Sequence, residues 1–181
     1  MYENVKFLPM SRREMDALGW DSIDILLLTG DAYVEHPSFG TAVIGRYLLD
    51  KGFRVGVVAQ PDWKDPESLK VMGRPNVAVG VSSGNMDSMV CIYTVGRRFR
   101  KDDMYSPGGK TGKRPPMAAV VYTQLAKRAF PGIKTVLGGV EASLRRVAHY
   151  DYWQDKMHSS ELVESKADIL IFGMGEKASL E

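Results

Sequence analysis

Cysteine is almost missing from this sequence: Cys91 is the only one in 181 residues. That excludes an internal disulfide and any zinc or iron–sulfur site built from cysteine thiolates within this stretch, and it implies a reducing, cytoplasmic setting. An excess of one charge sign is lacking as well. Lys and Arg number 24 against 22 Asp and Glu, for a formal net charge of +2, so the molecule as a whole is not built to hold a polyanion and any basic patch must be local. No apolar run approaches the ~20 residues of a membrane span. The opening Met1-Tyr2-Glu3-Asn4-Val5-Lys6 has neither the basic flank nor the apolar centre of a signal peptide. The expectation is a soluble, unexported protein with no membrane partner and no internal repeat.

What is present is ordinary globular composition, 44% hydrophobic and 25% charged, enough for one domain with a substantial core. The informative feature is apolar strand-like runs that pass directly into glycine. They are Ile25 to Asp31, Asn76 to Gly84, Lys134 to Gly139 and Ala167 to Gly175. Residues just past such strands line one edge of a parallel sheet, where open α/β folds bind ligands and glycine lets a backbone or cofactor approach.

The capping pattern Ser11-Arg12-Arg13-Glu14 predicts a short helix ending near Gly19. The near-continuous apolar run Ile23–Thr29 predicts a strand covered on both faces. A helix opening at Pro37 and Ser38 runs to Gly52, a second strand covers Phe53–Ala59, and a short helix covers Glu67–Met72. The third strand is Asn76–Val81, followed by a helix from Asn85 to about Tyr93. Arg97–Pro116 lacks apolar periodicity and predicts a long, mobile basic insertion. Helical spacing returns over Pro116–Ala129, the fourth strand is Thr135–Leu137, Ala142 to about His158 reads as mostly helical, and the fifth strand is Ile169–Phe172. Five strands alternating with helices favour an α/β, flavodoxin-like, doubly wound and mainly parallel sheet.

Several short motifs compete with plainer readings. Gly80-Val81-Ser82-Ser83-Gly84 satisfies G-x-S-x-G between a strand and a helix, with His149 or His158 as the base of a serine hydrolase. No HGGG-type segment precedes it and the chain is short for a hydrolase, so a glycine-rich turn is preferred. There Ser82, Ser83 and Asn85 offer hydroxyls, an amide and N–H groups to a ligand. Gly173-Met174-Gly175-Glu176-Lys177-Ala178 satisfies G-x-G-x-x-A, but it follows the last strand and puts Glu176 where a pyrophosphate would be repelled. Gly109-Lys110-Thr111 has Met104 where a P-loop needs its first glycine. The insertion also carries Arg97, Arg98, Arg100, Lys101, Lys110, Lys113 and Arg114, which suits RNA or another anionic partner if it is not simply a solvated loop. His36 stands where a cofactor ligand could sit, against the plainer role of a capping residue. Met72, Met86 and Met89 read as core filler.

Longer strings carry a resemblance. Phe7-Leu8-Pro9-Met10-Ser11, Gly30 to Gly40, Gln60-Pro61-Asp62-Trp63, Gly84 to Met89, Leu137 to Arg146, His149 to Trp153 and Ser165 to Asp168 together resemble the amino-terminal region of the YgiQ family of radical SAM proteins, Fe–S oxidoreductases. The likeness runs from about Phe7 to Ala178. It implies a domain over 1–178 similar to cobalamin-binding domains, followed in the same chain by a radical SAM barrel. That barrel would hold a [4Fe–4S] cluster on a C-x-x-x-C-x-x-C loop and use S-adenosylmethionine. With one thiol, the present stretch is expected to be non-catalytic alone and to ligate no metal. The resemblance places Gly138, Gly139, Gly173, Gly175 and Glu176 along a cleft. Asp31, Tyr33, His36 and Glu141, from the same strand-end strings, complete with Ser82, Ser83 and Asn85 the candidate cofactor-binding residues. Cobalamin itself is put in doubt because the D-x-H-x-x-G pattern of base-off binders is altered to Val34-Glu35-His36 four residues before Gly40. Residues 179–181, following what reads as the first turn of a helix, are expected to be a cloning remnant on a piece of a longer protein.

Overall fold

The computed structural model describes residues 5–181 and contains five parallel strands in one sheet. The strands are β1 (Ile25–Thr29), β2 (Val55–Ala59), β3 (Ala78–Ser82), β4 (Lys134–Leu137) and β7 (Ile169–Leu170), in the spatial order β2-β1-β3-β4-β7. This is the flavodoxin-like order, and the sense in which successive strands are added switches between β1 and β3, which remain parallel. Residues 1–4, which open the expected domain and the segment read for a leader, lie outside the described residues. No helix among the described residues is long and apolar enough to cross a membrane.

Helix α1 (Arg12–Ala17) starts at the expected cap: Ser11 Oγ accepts from the Glu14 N–H at 3.3 Å and Glu14 reaches back to the Met10 N–H at 2.7 Å. Helix α2 (Gly40–Asp50) covers one face of the sheet over β1 and β2. The 3₁₀ helix Pro66–Met72 and α4 (Ala118–Ala129) cover the other, with Ala118, Tyr122, Leu125 and Ala126 fully buried. All five residues of β1 are buried, as its unbroken apolar run predicts. In β3 the burial alternates, with Val79 and Val81 buried but Ala78, Gly80 and Ser82 only half-buried. The half-buried set pairs with Ile25, Leu27 and Thr29 and so lies on the α2 side. Helix α2 therefore leaves half of its own sheet face open.

Two sequence expectations are corrected. The helix expected from Asn85 shortens to α3 (Ser88–Ile92), because Asp87 caps it by accepting from the Met89 and Val90 N–H groups. The stretch 142–158 is not mostly helical. Helix α5 (Gly139–Leu144) stops at Arg145, and β5 (His149–Asp151) with β6 (Lys156–His158) forms an antiparallel hairpin before α6 (Glu161–Ser165). Alternation explains it: His149, Asp151 and His158 turn inward while Tyr150 and Met157 face out.

The sheet is pinned at its lower edge by Asp24, which takes two side-chain bonds from Arg54, 2.8 and 3.1 Å, and the Arg54 N–H at 2.9 Å. Chiefly through the Arg54 side-chain bonds, the Asp24 carboxyl is held down at about 2. A depressed carboxyl binds fewer protons in the fold than in the open chain, so its contribution is complete above the unfolded value of ~3.9 and disappears as pH falls toward 2. Asp24→Asn is expected to cost about 1–2 kcal/mol at pH 7, solvent screening of this half-buried pair included, and little at pH 2. Urea titrations of both proteins across that range check it.

Candidate functional site

The ends of β1, β3, β4 and β7 surround a cleft of about 560 Å3 on the open half-face. Its floor is Leu27, Gly80 and Val136, one wall is Val43 and Ile44 of α2, and the other is Ile171, Gly175 and Ser179. A Cβ on Gly80 would come within 2.8 Å of Leu27 Cδ2, so the floor beneath β3 is flat because the residue there has no side chain. Ser82, Asn85, Tyr105, Gly138, Gly139, Gly173 and Glu176 form the rim.

Seven of the sequence-selected residues thus meet here: Ser82, Asn85, Gly138, Gly139, Gly173, Gly175 and Glu176. Ser82 Oγ accepts from the Gly84 N–H at 3.0 Å, closing the turn after β3. Asn85 Nδ2 donates to the Ser38 carbonyl at 3.1 Å and so ties the β3 loop to the start of α2. Gly138 donates to the Val81 carbonyl at 2.9 Å, and Gly173 to Ser143 Oγ at 3.1 Å.

The other five lie elsewhere. Ser83 is fully buried and donates to the Met86 carbonyl. Tyr33 bonds Glu35, which also takes Arg46 and the Leu8 N–H. Burial and that carboxylate push the Tyr33 hydroxyl well above its usual range. His36 is exposed, with Nδ1 accepting from the Ser38 N–H at 3.1 Å. Glu141 is fully buried beneath α5, taking the Ser88 N–H at 2.5 Å and the Ala119 N–H at 2.9 Å.

Asp31 is buried behind the rim, and its neighbours were not legible in advance. Arg114, 1% exposed, puts Nη2 2.7 Å from Asp31 Oδ1 and 3.4 Å from Asp103, and its Nη1 donates to the Ser83 carbonyl at 2.5 Å. Asp31 Oδ2 takes the Asn85 N–H at 2.7 Å. Burial raises the Asp31 carboxyl despite the arginine beside it. Gly84, at φ +111°, is obligatory here, because any Cβ would collide with the Asp31 carboxylate. Ser106 accepts from Gln60 at 2.6 Å and donates to Asp103 at 3.0 Å, and Ala32 donates to the Tyr105 carbonyl. The stretch 97–116 is thereby fastened under the loops of β1 and β3.

A second buried guanidinium, Arg145, lies 2.8 Å from Asp87, 4.0 Å from Asp151 and 3.7 Å from Glu161. With more carboxylates than cations in this interior, desolvation pushes Glu161 up to about 9, and Glu141 is raised for the same reason.

Ser82 has no histidine relay: His158 bonds Glu164 at 2.8 Å and His149 the Val147 carbonyl, both from the β5–β6 hairpin. Among the described residues no cluster of His, Cys, Asp and Glu is arranged to hold a metal. Cys91 is buried and its thiol is raised to about 11, chiefly by that burial, so this chain does not fit an iron–sulfur cluster. No imidazole lines the cleft, so it offers a cobalt no histidine ligand.

A flavodoxin-like parallel sheet with a cleft at its switch point defines a doubly wound α/β domain. The radical SAM N-terminal family matches residues 7–181, and the chain belongs to that family. It is 59% identical over 175 residues to a UPF0313 protein of Bradyrhizobium diazoefficiens, 58% to one of Thermotoga neapolitana and 57% to one of Pseudomonas aeruginosa. Each match covers 97% of this chain but only 26%, 31% and 23% of the relative, so the chain spans about a quarter to a third of their length. No solved structure matches.

Removing Arg114 leaves two carboxylates facing each other in the interior. Arg114→Met is expected to destabilise by about 3–5 kcal/mol, and adding Asp31→Asn and Asp103→Asn to recover most of it. Glu161 gives the opposite sign to Asp24. Its raised pKa means the fold holds a proton that the open chain releases, so stability falls as pH rises from ~4.3 toward 9. Glu161→Gln is expected to flatten that decline in thermal melts recorded over the same range.

Proposed function

We propose that this chain is the ligand-binding amino-terminal domain of a radical SAM enzyme whose iron–sulfur cluster, S-adenosylmethionine site and catalytic barrel are built by later residues of the same polypeptide. The observation that carries the reading is the cleft, which gathers the ends of four strands around an apolar floor on the one half-face that α2 leaves open. Membership of the radical SAM N-terminal family supports the class, and the length of the relatives supports a division of labour along the chain. The radical chemistry belongs to residues elsewhere, since Cys91 is alone and stays protonated.

What this chain contributes is binding and orientation. Leu27, Val43, Ile44, Val136 and Ile171 take apolar surface out of water, while Ser82, Asn85 and the backbone groups of Gly138 and Gly139 offer polar contacts at the rim. A substrate or an organic cofactor with an apolar body and a polar edge suits these walls. A corrinoid would be held without a histidine ligand from the lining residues.

Gly138 provides the test. Its backbone is extended at φ −154°, and a Cβ there meets nothing nearer than the Ile171 carbonyl at 4.0 Å, so Gly138→Phe fills the cleft without backbone strain. In a longer family protein carrying this domain, it is expected to lower substrate turnover at least about tenfold while 5′-deoxyadenosine release continues. Reconstitution of the 181-residue chain with iron and sulfide is expected to yield no cluster. Cluster assembly on this chain alone, or full turnover with the cleft filled, overturns the assignment.

A further inference from the structure

Outside the cleft, a second surface combines exposed ring faces with cations that have no carboxylate to meet. Residues 93–99 form a tight hairpin: Tyr93 bridges Phe99, the Thr94 N–H reaches the Arg98 carbonyl at 2.8 Å, and Arg97 takes a left-handed φ of +58° at the turn. The turn leans on the β5–β6 hairpin, where Tyr152 Oη donates to the Val95 carbonyl at 3.0 Å and the Arg97 guanidinium stacks 4.7 Å from the Tyr152 ring centre. Phe99 is 73% exposed, Tyr150 54% and Tyr152 44%. Phe99 is supported from behind by Tyr93, ring centres 4.9 Å apart, which holds its plane without covering it.

Around these rings stand Arg97, Arg98, Arg100, Lys101 and Lys156, all exposed and none in an ion pair among the described residues. Fewer acidic groups than cations face solvent in these segments. Asp103 is buried on Arg114, so Asp102 and Asp155, the latter accepting from the Tyr150 hydroxyl, are the exposed carboxylates left against five cations. Arg100 is fixed in place by its Nε bond to the Val90 carbonyl at 2.9 Å.

We propose that this face binds single-stranded nucleic acid. Flat aromatic faces beside guanidinium groups suit unpaired bases stacked between phosphate contacts, and base stacking of this kind is tolerant of sequence. A duplex buries its base faces, and an acidic peptide has no use for the exposed plane of Phe99. The surface lies apart from the cleft, so its fate does not bear on the reading given to the cleft.

Fluorescence anisotropy with a short labelled single strand, as RNA and as DNA, tests it on the 181-residue protein at several salt concentrations. The expected result is binding at low salt that weakens with a log–log slope of about −2 to −3, as three or four phosphate contacts require. Phe99→Ala, on an exposed ring whose loss leaves the core untouched, is expected to lower affinity about tenfold. The pair Arg98→Ala and Lys101→Ala is expected to lower it further and flatten the slope. A preference for either the RNA or the DNA arm supports the proposal and identifies the strand. Absence of binding at low salt overturns it. So does binding of heparin or polyglutamate as tight as that of the oligonucleotide with no loss in Phe99→Ala, which would mark a simple polyanion or acidic-protein surface.

Discussion

The Arg114 guanidinium fixes the arrangement of everything around the upper edge of the sheet. It touches the loop after β1 through Asp31, the loop after β3 through the Ser83 carbonyl, and its own long connection through Asp103. A buried cation of this kind is tolerable only when acceptors surround it, and each of the three segments supplies one to Nη1 or Nη2, while Nε is left without a partner. The dependence runs both ways: Asp31 is buried at a cost that its bonds from Asn85 and Arg114 only partly relieve. Asn85, placed by that bond, then reaches across to Ser38 at the start of α2. The floor of the cleft comes from strands, but the positions of its rim loops descend from one side chain beneath them.

Arg145 has a comparable role in the neighbouring layer. It joins the loop before α3, the end of α5, the β5–β6 hairpin and the first residue of α6. Glu141 adds bonds to the backbone at the starts of α3 and α4. Between them, these groups hold α5, and with it Gly138 and Gly139, against the body of the sheet. The cleft itself carries almost no charge, because the ionic groups are engaged behind it.

Four of the five strands were legible in the sequence because each pairs a β-branched or leucine-rich run with glycine at its end, and β2 because a valine-rich run is broken by Pro61. Ser82 followed from the same signal, and the cleft glycines Gly138, Gly139, Gly173 and Gly175 from the resemblance to the radical SAM family. The β5–β6 hairpin was not legible: Tyr150, Tyr152 and Trp153 fit a helix face as readily as an outward strand row, and no Asn-Gly or Asp-Gly pair announces the turn. Arg114 was hidden for a different reason. It stands among exposed Arg and Lys residues in a glycine- and proline-rich stretch, and only three-dimensional proximity separates it from Lys113 beside it. Glu141 and Asp31 were picked out as binding residues because they occupy strand-end positions, yet both carboxylates face inward to satisfy backbone or guanidinium groups. Position along a strand is readable from one dimension, whereas the direction a carboxylate faces depends on what else is buried nearby.

The nearly uncharged floor of Leu27, Gly80 and Val136 has a thermodynamic consequence. Sequestering a hydrocarbon-like guest there lowers the heat capacity of the complex relative to its separated components. The enthalpy of capture must then grow more negative on warming, and added salt should barely disturb the equilibrium. Discrimination among guests falls to contour and volume rather than to charge, so a methylene too many on the guest matters more than a change of ionic strength.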